Sequence, residues 1–434
     1  KITKDDLSQD EDVLDTWFSS WLWPISVFDG INNPDNDEIK YYYPTNDLVT
    51  GPDIIFFWVS RMIMAGYEFR DEKPFKNVYF TGLVRDNKRR KMSKSLGNSP
   101  DALKLIDEYS ADGVRVGLML SSAAGNDLLF DTNLCDQGKS FSNKVWNSFR
   151  LVNGWEISDI EQPDYCYNSI IWYKHKFNDV LNRVNDHFSK FRISDALMSI
   201  YRLIWDDFCS VLLEIIKPEY GKPIDSKTYK EVIKIFENNL LILHPFMPFI
   251  TEEIWHLIAE RSADEAIVIS EWPQSENNIN NDIINNFETL QNIISGIRNL
   301  RKKHQISFKK SVELSVVNND NFTKNYDSII SKLCNVNNIR YEDSEIKNAL
   351  TFRVKSNIYS IPFEEEINVE QEIIKIKQDL EYQKGFLKSV NAKLKNKRFT
   401  ENAPEIVIQN EIKKKDDALS KIDVLNSRLN NLEN

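Results

Sequence analysis

The sequence predicts a multidomain chain that starts as part of an α/β sheet, continues as a helical bundle and a small α+β module, and ends as an antiparallel coiled coil. Three observations predict this fold class. The 434 residues are too many for one ordinary core. Short apolar runs alternate with helical patterns in the first part, and later apolar residues recur every three or four positions. The predicted domains are 1–136, 137–277, 278–365 and 366–434.

Composition narrows the class of protein. The formal net charge of −11 does not exclude RNA binding, because only the local field at a contact surface attracts phosphates. No long uninterrupted apolar run occurs, so no membrane role is expected. The cysteines form no Cys-x-x-Cys pair, which indicates neither a disulfide framework nor a zinc site, and we expect a reduced, cytoplasmic protein. They are Cys135, Cys166, Cys209 and Cys334.

The first part is predicted to hold a strand, a helix and a basic loop. Val78–Gly82 predicts a buried strand that ends in a glycine turn, and Pro52–Phe69 predicts a helix with proline in its first turn. The run 89–98 contains Lys91 and Lys94 in a serine-bearing loop. Mobile ammonium groups at this spacing suit the charge that builds on the β- and γ-phosphates when an α-phosphate is attacked. A solvated basic turn is the alternative.

The loop leads directly into a helix. Ser99 is the predicted N-cap, with Pro100 at the first helical position and Asp101 facing the positive helix end.

Helical spacing predicts the bundle of the second part. In the run 241–255, we expect Thr251 and the two glutamates after it to open a helix, Trp255 to lie in the core, and His244 to be a packed loop residue. The one-face sets are Phe141, Val145, Trp146 and Phe149, followed by Leu197, Tyr201, Ile204, Phe208 and Leu212.

The third part predicts an α+β module. Its helix turns Ile293, Ile297 and Leu300 to a core, and the runs 312–316 and 351–354 alternate like strands with one exposed face. A basic cluster ends the helix. These cations either hold a phosphate backbone or stabilise the helix end, and both interpretations stay open.

The tail predicts two paired helices, because apolar residues step by three and four in two runs. The segment 399–404 supplies the turn, with basic residues clustered near it. The first run is Ile373, Ile376, Leu380, Gln383, Leu387, Val390 and Leu394. The second is Ile412, Leu419, Ile422, Leu425, Leu429 and Leu432.

These motifs resemble one enzyme family. The pentapeptide Lys-Met-Ser-Lys-Ser at 91–95, with the runs 12–20, 48–58 and 82–86, resembles class I aminoacyl-tRNA synthetases, and valyl-tRNA synthetases in particular. The run 241–255 resembles their anticodon-binding helical domain, and Asn402-Ala403-Pro404 matches their C-terminal coiled coil. Thr81 and Pro52 depart from the family pattern without removing a charged group assigned to catalysis.

The resemblance implies a Rossmann-like catalytic domain that uses ATP, with Mg²⁺ carried by the ATP and no protein metal site. Lys91 and Lys94 are the implied catalytic residues, which hold the leaving pyrophosphate. Asp53 matches the carboxylate near the ATP ribose, although a carboxylate at a helix start also suits the helix dipole. The implied ATP-binding set is Asp53, Gly51, Gly82, Leu83, Val84, Met92, Ser93 and Ser95.

Two further sets are implied. Trp17, Ile54 and Trp58 match the valine pocket. Ile54 and Trp58 share a helix face, for which buried core is the alternative.

The implied partners are valine, ATP and tRNA(Val), and we expect a monomer. The implied tRNA-binding residues are Arg298, Arg301, Lys302, Lys303, Lys393, Lys395, Lys397 and Arg398.

Class I synthetases also carry a His-x-Gly-His motif, and no such spacing occurs among the histidines of this chain. The chain begins at Lys1, and an inserted editing domain has no room before Asp12. We therefore expect a C-terminal fragment that binds tRNA but neither activates an amino acid nor edits by itself. An isoleucyl-type synthetase and a non-catalytic tRNA-binding module are the alternatives.

Overall fold

The structure is a computed structural model that describes residues 2–86, 88–93, 95–121, 127–276, 279–317, 324–362, 369–396, 399 and 405–433. The chain divides into two compact units, Lys1–Glu288 and Thr289–Asn434, and helices predominate in both. The division into four domains stays a prediction. Within the described ranges, every helix is too short or too polar to span a lipid bilayer.

The first unit opens with a two-stranded parallel sheet and three helices. These elements are α1 (Thr16–Ser26), α2 (Asp37–Tyr42), β1 (Thr45–Thr50), α3 (Ser60–Arg70) and β2 (Phe75–Phe80). Asp15 begins α1, because its carboxylate accepts the Phe18 N–H at 2.9 Å. Strands β1 and β2 run parallel, with Leu48 opposite Val78. Helix α3 is the crossover that a parallel pair requires.

The predicted helix from Pro52 is confirmed, with a winding that changes along its length. A 3₁₀ turn covers Pro52–Ile54, a π turn covers Ile55–Val59, and α3 follows. The strand predicted at Val78–Gly82 is observed a few residues earlier, as β2, and only Phe75 in it is buried. Full burial was the wrong expectation, because a described sheet of two strands leaves much of both faces open.

A short strand, the basic loop and two helices come next. The elements are β3 (Val84–Arg85), α4 (Ala102–Tyr109), α5 (Ala111–Ser121) and β4 (Leu128–Leu129), and β3 pairs in parallel with β4. The N-cap of α4 is Asp101, whose carboxylate accepts the Leu103 N–H at 3.0 Å. The prediction of Ser99 as N-cap was therefore wrong. The extended backbone of Asp101 puts a carboxylate, the stronger acceptor, at the positive helix end.

The remainder of the first unit is the predicted helical bundle. Its elements are α6 (Thr132–Asn153), β5 (Ile157–Ser158), α7 (Asp164–Ser189), α8 (Ile193–Arg202), α9 (Leu213–Ile216), β6 (Ile224–Asp225), α10 (Ser226–Leu243) and α11 (Pro248–Ile258). A π segment, Leu203–Leu212, joins α8 to α9. Most residues of both predicted one-face sets are buried, and Trp146 and Tyr201 are half-buried. The bundle prediction is confirmed for these helices.

Two charged residues of α5 hold the start of α11, one at its first turn and one at the turn before it. The buried Asp112 carboxylate accepts the N–H groups of Phe249 at 3.3 Å and Ile250 at 2.8 Å. Arg115 donates to the carbonyls of Pro245 at 3.0 Å and Phe246 at 3.2 Å. Helix α11 therefore starts with a cap supplied from another helix.

The prediction that Thr251 opens this helix was consequently wrong. Helix α11 starts at Pro248, and Thr251 is buried inside it, where its hydroxyl donates to the Met247 carbonyl at 2.7 Å. His244 lies 2.7 Å from the same hydroxyl, and burial lowers its pKa, in agreement with a packed residue. Trp255 is in the core, as predicted.

Replacing Asp112 by alanine is expected to destabilise the first unit by about 1–2 kcal/mol, because two N–H groups at the start of α11 lose their acceptor. Denaturant unfolding followed by circular dichroism measures the change. Asp107→Ala on α4, where the side chain is exposed, is the matched control and is expected to cost less than about 0.5 kcal/mol. Equal stabilities of the two variants would contradict the capping role.

The second unit begins within α12 (Asn281–Lys303) and contains a four-stranded sheet. Its elements are β7 (Val312–Val317), α13 (Asp327–Cys334), β8 (Val336–Glu342), β9 (Ala349–Val354) and β10 (Asn357–Pro362), in the strand order β8-β7-β10-β9. Ile293, Ile297 and Leu300 of α12 are buried, as predicted. The predicted exposed face of β7 was wrong: every residue except Glu313 is buried, because β7 is an interior strand.

Two long helices, α14 (Val369–Lys395) and α15 (Glu405–Glu433), complete the second unit. They pair antiparallel: Ile376 and Leu380 form a cluster with Ile422, while Lys393 lies near Glu411. The predicted stripe is confirmed on α14 and in the second half of α15, where Ile422 is buried and Leu425 and Leu429 pack against the same cluster. In the first half of α15 the stripe is shifted. Ile412 and Leu419 are exposed, whereas Glu411 and Ala418 are buried in their place. Residues 400–404 of the predicted turn at 399–404 lie outside the described residues.

Candidate functional site

Strands β1 and β2 bring two glycine turns to one edge of the first unit. The Thr81 N–H donates to the Thr50 carbonyl at 2.9 Å, and the two strands end in register, with Thr50 opposite Phe80. Gly51 directly follows β1 and Gly82 lies two positions after the end of β2, so both glycines come at the same edge. Asp53 follows in the 3₁₀ turn. Ligands of parallel sheets bind outside the carboxyl ends of the strands. Three of the residues predicted to bind a nucleotide therefore share such an edge.

Lys91 reaches the same edge from the basic loop. Its Nζ lies 3.2 Å from Asp53 Oδ2. The loop leaves from β3, and the Met92 N–H donates back to the Val84 carbonyl at 3.0 Å. Both members of the pair are exposed, at 59% for the lysine side chain and 43% for the aspartate, so the pair contributes little stability and holds Lys91 only loosely.

The base of the loop is fixed by a buried carboxylate. Asp86 accepts the backbone N–H groups of Lys88 at 3.0 Å and Arg90 at 2.9 Å. It also accepts from the Asn98 amide at 3.0 Å and pairs with the Arg90 guanidinium at 2.8 Å. The Asn98 hydrogen bond, followed by those from Arg90, holds the pKa of Asp86 well below its usual range. The carboxylate is therefore charged at neutral pH.

Asn98 joins this clamp to the loop tip. Its amide also donates to the Lys91 carbonyl at 3.3 Å, and its Oδ1 accepts the Ser93 N–H at 2.9 Å. The hydroxyls of Ser93 and Ser95 lie 3.1 Å apart. Ser93 and Ser95 thus hydrogen-bond within the loop here, and their predicted contacts with ATP stay predictions. Lys94 lies outside the described residues.

Trp17 packs against the helical segment that follows β1. Its ring stacks on Phe57 at 5.8 Å, and the Arg61 guanidinium carbon lies 3.6 Å from the ring centre. Ile54 and Trp58, on the same segment, are both half-buried. The structure therefore brings Trp17 to the segment that carries the other two predicted valine-pocket residues. The pocket itself stays a prediction, and sequence reasoning missed Arg61 against Trp17.

The basic cluster at the end of α12 is only partly exposed. Arg301 is 3% exposed and donates to the carbonyls of Ser307, Lys310 and Asn335 at 2.8–3.1 Å. The expectation that Arg301 contacts tRNA phosphates was wrong, because its guanidinium fixes the turn after α12. Arg298, Lys302 and Lys303 are exposed and remain candidates.

The arm formed by α14 and α15 carries a basic face on α14. Lys393 pairs with the buried Glu411 at 3.9 Å, and Lys395 is exposed. Lys397 and Arg398 lie outside the described residues. Sequence reasoning missed Lys384 and Lys388, although Lys388 and Lys395 follow Lys384 by four and eleven positions, a spacing that signals one helix face.

Among the described residues, no three His, Cys, Asp or Glu side chains are grouped to hold a metal ion. The chain matches three family models in succession. Residues 1–131 match "tRNA synthetases class I (I, L, M and V)", residues 171–317 match "Anticodon-binding domain of tRNA ligase", and residues 368–433 match "Valyl tRNA synthetase tRNA binding arm".

Curated relatives agree with these matches. The valine–tRNA ligase of Christiangramia forsetii is 58% identical over 433 residues, which cover 100% of this chain and 49% of the relative. That of Phocaeicola vulgatus is 53% identical over 423 residues, which cover 97% of this chain and 48% of the relative. The chain belongs to the valyl-tRNA synthetase family. It spans about half the length of the curated relatives it matches.

A solved LeuRS–tRNA–LeuAMS complex of Agrobacterium radiobacter K84 is similar in structure, at 20% identity and a TM-score of 0.46. The match covers 64% of this chain and 34% of the solved chain.

In this synthetase chain, Asp86 and Asn98 are the residues at the loop that sequence reasoning missed. Asp86 follows the strand β3, and Asn98 ends the ten-residue run around the lysine pair. An acid and an amide on either side of a basic loop signal a closing contact. The signal is weak, because only the folded chain brings them within 3.0 Å.

Asp86→Asn is expected to loosen the loop, because a neutral amide cannot accept four hydrogen bonds or pair with Arg90. Trypsin is expected to cleave after Arg89, Arg90 or Lys91 several times faster in this variant than in the unmodified chain. Because the pKa of Asp86 is depressed in the folded chain, the clamp stays charged well below about pH 4, the ordinary pKa of an aspartic acid. Its contribution to stability is complete above about pH 4 and is lost as the pH falls from there toward the depressed pKa.

The control is Asp107→Asn on α4, an exposed residue outside the clamp. Unchanged cleavage of the Asp86 variant would show that the clamp does not order the loop.

Proposed function

We propose that this chain is part of a valine–tRNA ligase, which converts valine and ATP to valyl-adenylate and transfers the valyl group to tRNA(Val). The observation that carries the proposal is the 3.2 Å pair between Lys91 and Asp53. It supports a site at the carboxyl edge of β1 and β2, where a phosphate-binding lysine meets a ribose-binding carboxylate. The membership of the chain in the valyl-tRNA synthetase family supports valine as the amino acid.

In this proposal, the chain acts by positioning and by charge stabilisation. Lys91 and Lys94 hold the pyrophosphate as it leaves the α-phosphate. Asp53 orients the ATP ribose through its hydroxyls, and the turn after β2 approaches adenine with its backbone. Mg²⁺ arrives on the ATP phosphates, where it neutralises charge. The valine side chain is enclosed by Trp17, Ile54 and Trp58.

We infer a finer architecture on the same basis. Residues 1–136 are part of a Rossmann-like catalytic domain, and residues 137–277 form the anticodon-binding bundle. Residues 278–365 form a junction module, and residues 366–434 form a coiled-coil arm that leans on the tRNA. We further propose that the protein works as a monomer in the cytoplasm.

A second candidate is a tRNA-binding module without catalysis. The basic face of α14, with Lys384, Lys388 and Lys395, favours it, because that face needs no active site to bind RNA. The alternative of an isoleucyl-type synthetase has weaker support, because the relatives at 58% and 53% identity are named for valine.

The test is binding of the 434-residue chain to tRNA(Val), with tRNA(Ile) and an anticodon-altered tRNA(Val) as competitors across a salt titration. We expect tRNA(Val) to bind most tightly and the preference to fall when the anticodon changes. Equal and steeply salt-dependent binding to all three would reduce the interaction to non-specific electrostatics and contradict the proposal.

A further inference from the structure

An open groove runs along the second unit between α12 and the edge strand β9. Its polar lining comes from Asn292, Ser295, Asn299 and Lys303 on the helix and from Arg353 and Lys355 on the strand side. All six are exposed. The cavity has a volume of 560 Å³.

The charge of the groove is opposite to that of the chain. The described residues that line it include three cations, Lys303, Arg353 and Lys355, and no carboxylate. The whole chain carries a formal charge of −11. Glu345 approaches Arg353 from outside the lining, at 3.6 Å, which is a loose contact between exposed side chains that an anion can replace. The groove therefore has a local positive charge that suits an anionic ligand.

The groove has a fixed floor. A Cβ atom at Gly296 would lie 2.1 Å from the Phe352 ring, so the ring packs directly on the backbone of α12. The ring also stacks on Tyr359, with 5.2 Å between the ring centres. Lys355 follows β9 in a left-handed conformation, with φ of +54°, which fixes the direction of the chain at the groove end. The backbone that carries the three cations is thus held in place, on α12 and at the end of β9, by this packing.

We propose that this groove binds the phosphodiester backbone of RNA. Three cations contact successive phosphates, while the amides of Asn292 and Asn299 and the Ser295 hydroxyl suit ribose hydroxyls and phosphate oxygens. This assignment rests on the proposed function and adds a tRNA contact that differs from the predicted basic cluster. Of that cluster, only Lys303 lines the groove.

The main test removes the three charges in the full 434-residue chain, as Lys303→Ala, Arg353→Ala and Lys355→Ala together. The slope of log Kd for tRNA(Val) against log salt is expected to fall by about three, roughly one for each lost phosphate contact. Affinity near 0.1 M salt is then expected to fall by about a hundredfold or more. The matched control removes three exposed lysines of the same unit outside the groove, Lys309, Lys310 and Lys347, and is expected to leave the slope within about one of the unmodified chain.

A second variant keeps all three cations of the groove. Asn299→Asp puts a carboxylate into the groove without a change of size, and Asn338→Asp makes the same change on β8, at the opposite edge of the sheet. Only the first is expected to weaken tRNA binding, and both are expected to melt like the unmodified chain.

The outcomes separate the two proposals. Tight binding by the unmodified chain with equal effects in the groove and control variants overturns the groove alone. Failure of the unmodified chain to bind any tRNA overturns the proposed function and the groove together.

Discussion

Lys91→Ala in the full-length enzyme is expected to slow valyl-adenylate formation about 10²- to 10³-fold, the cost of removing one preorganised group that stabilises charge in the transition state. Lys91 Nζ lies 3.2 Å from Asp53 at the strand edge, and both side chains face solvent. The lysine is therefore free to exchange the carboxylate for a phosphate when a nucleotide binds. ATP–pyrophosphate exchange with valine measures the effect, and Lys94→Ala is expected to abolish most adenylate formation in the same assay.

Lys88→Ala is the matched control, because the Lys88 side chain is exposed on the same loop and its contact with Asp86 is made by the backbone N–H, which alanine keeps. Its exchange rate is expected to stay within about threefold of the unmodified enzyme. Exchange at the unmodified rate in the Lys91 variant would remove the lysine from the catalytic assignment. It would also leave the non-catalytic tRNA-binding module as the better interpretation of the chain.

Trp172→Ala is expected to destabilise the helical bundle by about 3–5 kcal/mol, the usual cost of deleting a large buried aromatic side chain. Trp172 is 2% exposed, and its ring stacks on that of Phe287, with 3.8 Å between the ring centres and 7° between the ring planes. The substitution leaves a cavity between α7 and the first turns of α12. The melting temperature of the first unit is expected to fall by roughly 6 to 20 °C in a circular-dichroism scan.

Tyr220→Ala tests whether the effect depends on burial. Tyr220 lies in the same unit and is fully exposed, so its loss is expected to change stability by less than about 0.5 kcal/mol. If the Trp172 variant melts at the same temperature as the Tyr220 variant, the stacked pair of Trp172 and Phe287 contributes little to the stability of the bundle.

The sequence predicted the helices well, because their signal is local. Residues such as Phe141, Val145 and Phe149 repeat at the helical period, and each is buried where the period places it. Helix starts were less predictable. Asp101 rather than Ser99 caps α4, and the start of α11 is capped by Asp112, more than a hundred residues earlier in the chain. A cap supplied by another helix leaves no pattern in its own segment.

The arm and the basic cluster show the same limit. Ile412 and Leu419 fit the apolar spacing, yet Glu411 and Ala418 are buried in their place, because the register depends on how α15 faces α14. Arg301 looked like its exposed neighbours, but three carbonyls from a later turn and loop surround its guanidinium.

The loop could be located from the sequence, while its support could not. The Lys-Met-Ser-Lys-Ser run identifies the loop by composition and resemblance alone. Its contact with Asp53 joins residues 38 positions apart, and the clamp from Asp86 to Asn98 closes over 12 positions. Such contacts depend on the turn geometry between the partners, which residue type and spacing do not encode.

The attachment of α5 to α11 also limits where the loop that carries Lys91 can bend. Asp112 and Arg115 hold α5 against the bundle, and only Ser110 separates α5 from α4. Helices α4 and α5 therefore anchor the C-terminal end of the loop. If Lys91 moves toward a nucleotide, we expect the change to be taken up before α4 begins. The stretch from Gly97, with φ of +62°, to Asp101 is then the expected hinge, and stiffening it is expected to restrict the lysine to one position.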